Sequence, residues 1–173
     1  SGAVTKQADV TGFADIPLAR SPFAATVIDA KTMENISAER LSDLYRFDSS
    51  LSDAYNAVGY WDFVTIRGFV LDQVYNFRRD GMPISAETTL PLENKQRIEF
   101  LKGTSGIQAG TSSPGGLVNY AVKRPTNTDL RTLTLETSSY GGLLAHLDLG
   151  GRFGDGQRFG YRLNLVGQDI QSY

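Results

Sequence analysis

Three successive segments, LRTLTLETSSY, GGLLAHLDLGGRF and QRFGYRLNLVGQDIQ, alternate apolar and polar residues with a period of two. A strand turns successive side chains to opposite faces, so this period commits the chain after Pro125 to β-structure with one apolar and one polar face. Leu133 and Leu135 oppose Thr132, Thr134 and Glu136. Ala145, Leu147 and Leu149 oppose His146 and Asp148, and Phe159, Tyr161, Leu163 and Leu165 oppose Arg162 and Asn164. The Gly154-Asp155-Gly156 step reads as a tight hairpin turn. Two architectures use such an antiparallel meander: half of a soluble sandwich, or the opening of a membrane barrel with its apolar face outward. Alternation alone favours the sandwich. A lone three-stranded meander leaves long unpaired edges, so the sheet is expected to continue.

Composition narrows the chemistry. The 173 residues carry 17 Lys and Arg against 19 Asp and Glu, a net charge of -2, which gives no footprint for nucleic acid. Cysteine is absent, which removes disulfides, thiolate metal sites and cysteine nucleophiles together. A single histidine, His146, completes neither a zinc set nor a serine triad. No apolar run reaches the ~18 residues of a spanning helix, although strands of a barrel escape that test. No charged segment followed by an apolar one opens the chain, so any signal peptide is expected to have been removed.

Residues 1–21 have no sustained period and read as a flexible arm with an extended piece at ADVTGF. Ala25 to Ile28 predict a strand, Asp29 the cap of a brief helix, and Ser37 the cap of a second helix burying Leu41, Leu44 and Tyr45. A long polar and aromatic loop is expected over 48–62, then a strand FVTIRGFVL and a loop DQVYNFRRDG closing on Asp80-Gly81. RIEFLKG and GLVNYAVKRP read as strands joined by the loop GTSGIQAGTSSPGG. That loop lacks the Lys-Ser or Lys-Thr and the following helix of a phosphate loop. It also lacks the nucleophile-elbow spacing around Ser112, and carboxylates such as Asp80 and Glu87 read as solvated. No catalytic residue is assigned.

Tyr55, Tyr60, Trp61, Tyr75 and Phe77, with Arg78 and Arg79, fall in two loops between strands. Gathered at one end of a sheet they would make a cationic, aromatic surface suited to an anionic, aromatic or metal-chelate ligand. The plain alternative is that Tyr60, Trp61 and Phe63 cover the core and that the arginine pair is solvated charge.

Several short pieces stand in a fixed order: Ile66-Arg67-Gly68, Asp80-Gly81-Met82-Pro83, Ile98-Glu99 with Leu101-Lys102-Gly103, Gly115-Gly116, Val118-Asn119 and Lys123-Arg124-Pro125. Over roughly Pro22 to Pro125 this order resembles the plug domain of TonB-dependent outer-membrane receptors, above all the siderophore receptors. The chain departs from the family pattern at Thr104 to Gly110, a ligand-facing apex in that family.

The resemblance implies an α+β plug, a small mixed β-sheet with short helices, followed by antiparallel β-strands of a truncated transmembrane β-barrel. It divides the chain into a flexible N-terminal arm at 1–21, a plug at 22–125 and the first strands of a barrel of roughly 22 strands at 126–173. It further implies a non-enzymatic receptor of the Gram-negative outer membrane that binds a ferric siderophore and imports it by TonB-energised gating. The partners would be the siderophore, TonB with ExbB and ExbD, and outer-membrane lipid around the barrel, with no nucleic acid. Iron would travel inside its chelate, so no cofactor and no protein metal site are expected. Tyr55, Tyr60, Trp61, Tyr75, Arg78, Arg79, Ile107 and Gln108 become the ligand-facing candidates. Arg67, Glu99 and Lys102 would hold plug to barrel wall through partners on that wall. Val10-Thr11 is the nearest match to a TonB box. The competing reading is a soluble periplasmic binding or regulatory module built on the plug fold.

Overall fold

The computed structural model describes Gln7–Ala8, Ile16–Pro17, 24–55, 61–103, 114–137 and 141–169. The chain divides into two compact units, Ser1–Val122 and Lys123–Tyr173. In the first run β1 (Gln7–Ala8), β2 (Ile16–Pro17), β3 (Ala24–Asp29), helix α1 (Ala30–Asn35), a 3-10 helix (Leu41–Phe47) and β4 (Leu51–Asp53). There follow β5 (Val64–Ile66), β6 (Phe69–Val70), β7 (Phe77–Arg79), β8 (Met82–Pro83), β9 (Lys95–Lys102) and β10 (Gly116–Val122).

A mixed sheet in the order β3-β9-β10-β7-β8 forms the centre of this unit, with β10 and β7 parallel and the other neighbours antiparallel. One face of it carries Ile28, Ile98, Phe100, Val118, Tyr120 and Phe77. These pack with Met33, Leu41, Leu44, Leu51, Val64 and Ile66 into one core. Each aliphatic or aromatic side chain buried here contributes about 1.5–3 kcal/mol. Across the opposite face the register aligns Val27, Glu99, Asn119 and Arg78, a row that is also buried.

Local chemistry explains the first helix. Asp29 accepts a hydrogen bond from the Thr32 amide at 2.8 Å, as an N-cap should. The second helix differs from expectation: it is 3-10, it begins after Arg40, and Ser37 is not its cap. Asp43 instead accepts from the amides of Glu39 and Arg40, and Asp62, far along the chain, accepts from the Leu41 amide at 3.3 Å.

Two stretches read as single elements are hairpins. FVTIRGFVL folds back on itself: Arg67 and Gly68, at φ of 53° and 82°, form a turn with positive φ at both central residues, so that Ile66 faces Phe69. The supposed loop DQVYNFRRDG contains β7, and Asp80-Gly81, at φ of 48° and 80°, turn it into β8. The supposed loop over 48–62 likewise contains β4. Near the N-terminus, in the stretch read as a flexible arm, Gln7–Ala8 pair with Ile16–Pro17.

The second unit is an antiparallel meander of β11 (Leu130–Thr137), β12 (Leu143–Phe153) and β13 (Phe159–Asp169). Its burial is the reverse of a sheet in water. Leu133, Leu135, Leu143, Phe153, Phe159 and Leu165 are all more than half exposed, while His146 and Asp148 on the other face are 8% and 4% exposed. Asp148 is held bidentately by Arg162 at 2.6 and 2.7 Å and by Lys123 at 3.1 Å. His146 Nε2 lies 3.0 Å from Asn164 Oδ1. Phe153 stacks on Phe159 at 5.6 Å beside Tyr161. No helix among the described residues is long and apolar enough to cross a membrane.

Candidate ligand-binding site

The turn between β6 and β7 is built to hold a fixed shape. The Asp72 carboxylate accepts from the amides of Val74 and Tyr75 at 2.9 and 3.0 Å, and the Asn76 amide bonds back to the Asp72 carbonyl. Asn76, fully buried, donates through its side chain to the Gly116 carbonyl, and its own carbonyl accepts from the Val118 amide. The turn is thereby tied to the start of β10 and presents Val74 and Tyr75, 46% and 50% exposed.

A second loop meets it. Gln73 Nε2 donates to the Asp62 carbonyl at 3.0 Å, joining the β6–β7 turn to the segment that enters β5. That segment carries an aromatic row: Tyr55 stands edge-on to Phe63 at 5.1 Å, and Trp61 lies 5.9 Å from Phe63. Tyr55 is 66% exposed, whereas Trp61 is half-buried, so the row is part core cover and part open surface. Sequence reasoning named Tyr55, Trp61 and Tyr75, and the structure puts them on joined loops. It missed Gln73 and Asn76, whose ordinary amide side chains carry no local signal of these long-range bonds. Tyr60, Ile107 and Gln108, and Val10 and Thr11, lie outside the described residues.

The arginine pair needs correction. Arg78 and Arg79 sit on a strand, so they point to opposite faces. Arg78 is 3% exposed and donates to the carbonyls of Tyr75 and Phe77 at 2.9 and 3.1 Å, supporting the turn from beneath. Burial lowers its pKa from the ordinary value. Arg79 is exposed beside the Asp80-Gly81 turn, at the end of β7 away from Tyr75, where its charge helps lower the pKa of Lys95.

The expectation that Glu99 and Lys102 need partners on a barrel wall is also corrected. Glu99 takes Arg97 at 2.7 Å and Asn119 Nδ2 at 2.9 Å, and Lys102 meets Asp48 at 2.5 Å, all within the first unit. Arg67 remains exposed at its turn and has no ion-pair partner among the described residues.

Buried titratable groups set a pH signature. Lys95 is pushed down to about 8 by burial and by Arg79, against the opposing pull of Glu93 and Asp80. Between about 8 and the ordinary 10.5 the unfolded chain binds more protons, so this group makes stability rise with pH in that window. Tyr45 and Tyr120 are pushed up, chiefly by burial, from the ordinary 10.0, so their contribution is lost as pH climbs above that value. Denaturant midpoints should therefore rise from pH 8 towards pH 10 and fall beyond it, and Lys95→Met should abolish the rise.

Residues 17–117 match the family described as TonB-dependent Receptor Plug Domain, more than half of the chain. The chain belongs to the TonB-dependent receptor plug family. The ferrichrome receptor FcuA of Yersinia enterocolitica is 27% identical over 87% of this chain and 20% of its own length. The ferripyoverdine receptor of Pseudomonas aeruginosa is 25% identical over 88% and 19%. This plug-bearing chain thus spans about a fifth of the length of the curated relatives it matches. Among solved structures, BauA, the ferric preacinetobactin receptor of Acinetobacter baumannii, covers 99% of this chain and 26% of its own at a TM-score of 0.86 and 23% identity. The P. aeruginosa outer-membrane receptor bound to ferripyoverdine covers 95% of this chain and 22% of its own, at 0.83 and 22%. The fold is that of a receptor plug followed by part of a barrel, with a mixed sheet and few helices as expected.

Proposed function

We propose that this chain is the plug and opening barrel wall of an outer-membrane receptor that binds a ferric siderophore and admits it by TonB-energised gating. The observation that carries this reading is the inside-out meander, with leucines and phenylalanines exposed and His146 and Asp148 buried. An apolar outer face opposed by a polar inner one is what a wall between lipid and a polar lumen requires. Relatives named for ferrichrome and ferripyoverdine support a ferric chelate as cargo.

In this reading Tyr55, Trp61 and Tyr75 face the ligand, joined by Tyr60, Ile107 and Gln108. Arg78 holds the Tyr75 turn in place from below, and Arg67 is the remaining candidate to meet the wall. TonB would pair by strand addition with an extended segment near Val10-Thr11. Force entering there passes β2 and then meets β3, the first strand of the central sheet along the chain, and among the described strands β3 is paired in that sheet with β9 alone. Peeling β3 from β9 would leave the remaining pairings of that sheet in place.

Trp61 is the one tryptophan of these 173 residues, so the difference in fluorescence between the receptor and its Trp61→Phe variant reports on the site. A cognate ferric siderophore should quench its fluorescence saturably in the intact receptor. Absence of quenching across hydroxamate, catecholate and carboxylate chelates would remove Trp61 from the ligand face.

A further inference from the structure

We infer that residues 123–129 form a strap on the polar face of the meander, positioned by Asp148, Arg152 and Arg162, that takes the pull of gating before it reaches the barrel strands. The inference rests on the proposed TonB-energised gating and deepens it by naming where the force ends.

β10 ends at Val122 and β11 begins at Leu130, so residues 123–129 are the covalent link between the central sheet and the meander. This link is held at three points along its length. The Lys123 ammonium meets the Asp148 carboxylate at 3.1 Å, and Arg162 grips the same carboxylate at 2.6 and 2.7 Å. The Arg162 guanidinium also donates to the Arg124 carbonyl at 3.4 Å, and Arg152 Nε donates to Asn127 Oδ1 at 2.9 Å.

The wall makes room for the strap with glycine. In the β12–β13 register Gly150 is paired with Arg162 and Gly160 with Arg152, so two successive rungs of the polar face each set a glycine beside an arginine. A Cβ on Gly150 would fall 2.7 Å from Thr126 Oγ1, and one on Gly160 would fall 2.7 Å from Pro125 Cβ. Neither glycine has a positive φ, so close approach of the strap, rather than a turn, is what the missing side chains serve. Pro125 fixes its own φ and keeps Arg124 extended, which lowers the entropy lost when the strap seats.

The placement decides how force is shared. Leu130 and Gly150 form the end pair of the β11–β12 register. A pull arriving through a slack link would load that ladder from this end, one hydrogen bond after another. With the strap seated, the ion pair, the hydrogen bonds and the glycine packing take the pull together, upstream of Leu130.

The test uses the intact receptor in Gram-negative cells with and without functional TonB, supplied with a ferric tris-hydroxamate and a ferric tris-catecholate together. Two variants detach the strap from opposite sides. Gly160→Val puts a side chain beneath Pro125 while favouring the strand it sits in. Lys123→Gln combined with Asn127→Ala removes the strap's own contacts and leaves every wall residue in place. Entry of vancomycin, which is too large for porins, reports a breached wall, at receptor amounts matched by immunoblot. In cells with TonB each variant should admit it about tenfold faster than wild type, the factor given by losing about 1.4 kcal/mol of strap seating. In cells without TonB both variants should exclude it as wild type does. Equal leakage in both strains overturns the inference, because the strap would then seal the wall without bearing force. Exclusion in both strains by the Lys123→Gln, Asn127→Ala receptor overturns it too, whatever Gly160→Val does. Wild-type iron uptake that ignores TonB overturns the gating reading itself, and this inference with it.

Discussion

Replacing Gly116 with alanine should destabilise the plug by about 3 kcal/mol or more, since among the described glycines it has the tightest approach to a neighbouring backbone. Gly116 sits at φ 138°, and a Cβ built there falls 1.9 Å from the Leu101 carbonyl oxygen. The obstacle is backbone of the neighbouring strand, so no rotamer change relieves it. Gly116↔Lys102 is also the end pair of the β9–β10 register, and the Asn76 side chain holds the Gly116 carbonyl from the other side. The methyl would therefore separate β9 from β10 where the β6–β7 turn is anchored. Gly68 supplies the control: its φ is also positive, at 82°, but a Cβ there meets nothing within 4 Å. Gly68→Ala should cost only about 1 kcal/mol, the backbone penalty alone. Urea midpoints followed by Trp61 fluorescence should separate the two variants clearly, and equal midpoints would refute the steric account.

Asp48→Ala should cost about 3 kcal/mol and should also change the acid limb of the stability profile. Asp48 gathers Thr26 from β3, Lys102 from β9 and Ser50 from its own turn, with Ser50 Oγ at 2.7 Å. Lys102 is 14% exposed, so removing the carboxylate strands a poorly solvated ammonium. Burial alone would raise the Asp48 pKa, but the hydrogen bonds from Lys102, Thr26 and Ser50 prevail and draw it down to about 2. The unfolded chain takes up that proton near 3.8, so between about 4 and 2 it binds more protons than the native state. The contribution is thus present above pH 4 and lost as pH falls through that window. In Asp48→Ala this part of the acid dependence should vanish. Combining it with Lys102→Met should recover part of the loss, since the stranded charge is gone. In the proposed gating the pair would matter because Asp48 ties Thr26 of β3 to Lys102 of β9, the seam that force from the N-terminal side would open.

Features set by neighbouring residues were readable from the chain alone. Period-two alternation located β11 to β13, and the aspartate before Ala30 marked the cap of α1. The order of short glycine- and proline-bearing pieces pointed to the plug. What failed were features set from a distance. Ser37 is a sound cap by type, yet Asp62, twenty-one positions beyond Leu41, takes part of that role. Phe77–Arg79 became a strand because β10, forty residues on, offers it a parallel neighbour, and that pairing buried Arg78. Arg67-Gly68 lacks the Asn-Gly or Asp-Gly signature of a two-residue turn, so the hairpin was read as one strand. Alternation also shows that a sheet has two faces without saying which meets solvent, and only the exposure of Leu133, Leu135 and Phe159 resolved that.

The central claim is gated uptake, and radioiron transport tests it most directly. Gram-negative cells lacking their own siderophore receptors, made to express the receptor that carries this plug, would be offered ferric siderophores of each class with and without functional TonB. The account predicts saturable iron accumulation with at least one chelate class in cells with TonB and none in cells without it. Accumulation at the same rate in both strains, or none with any chelate in either, would contradict it.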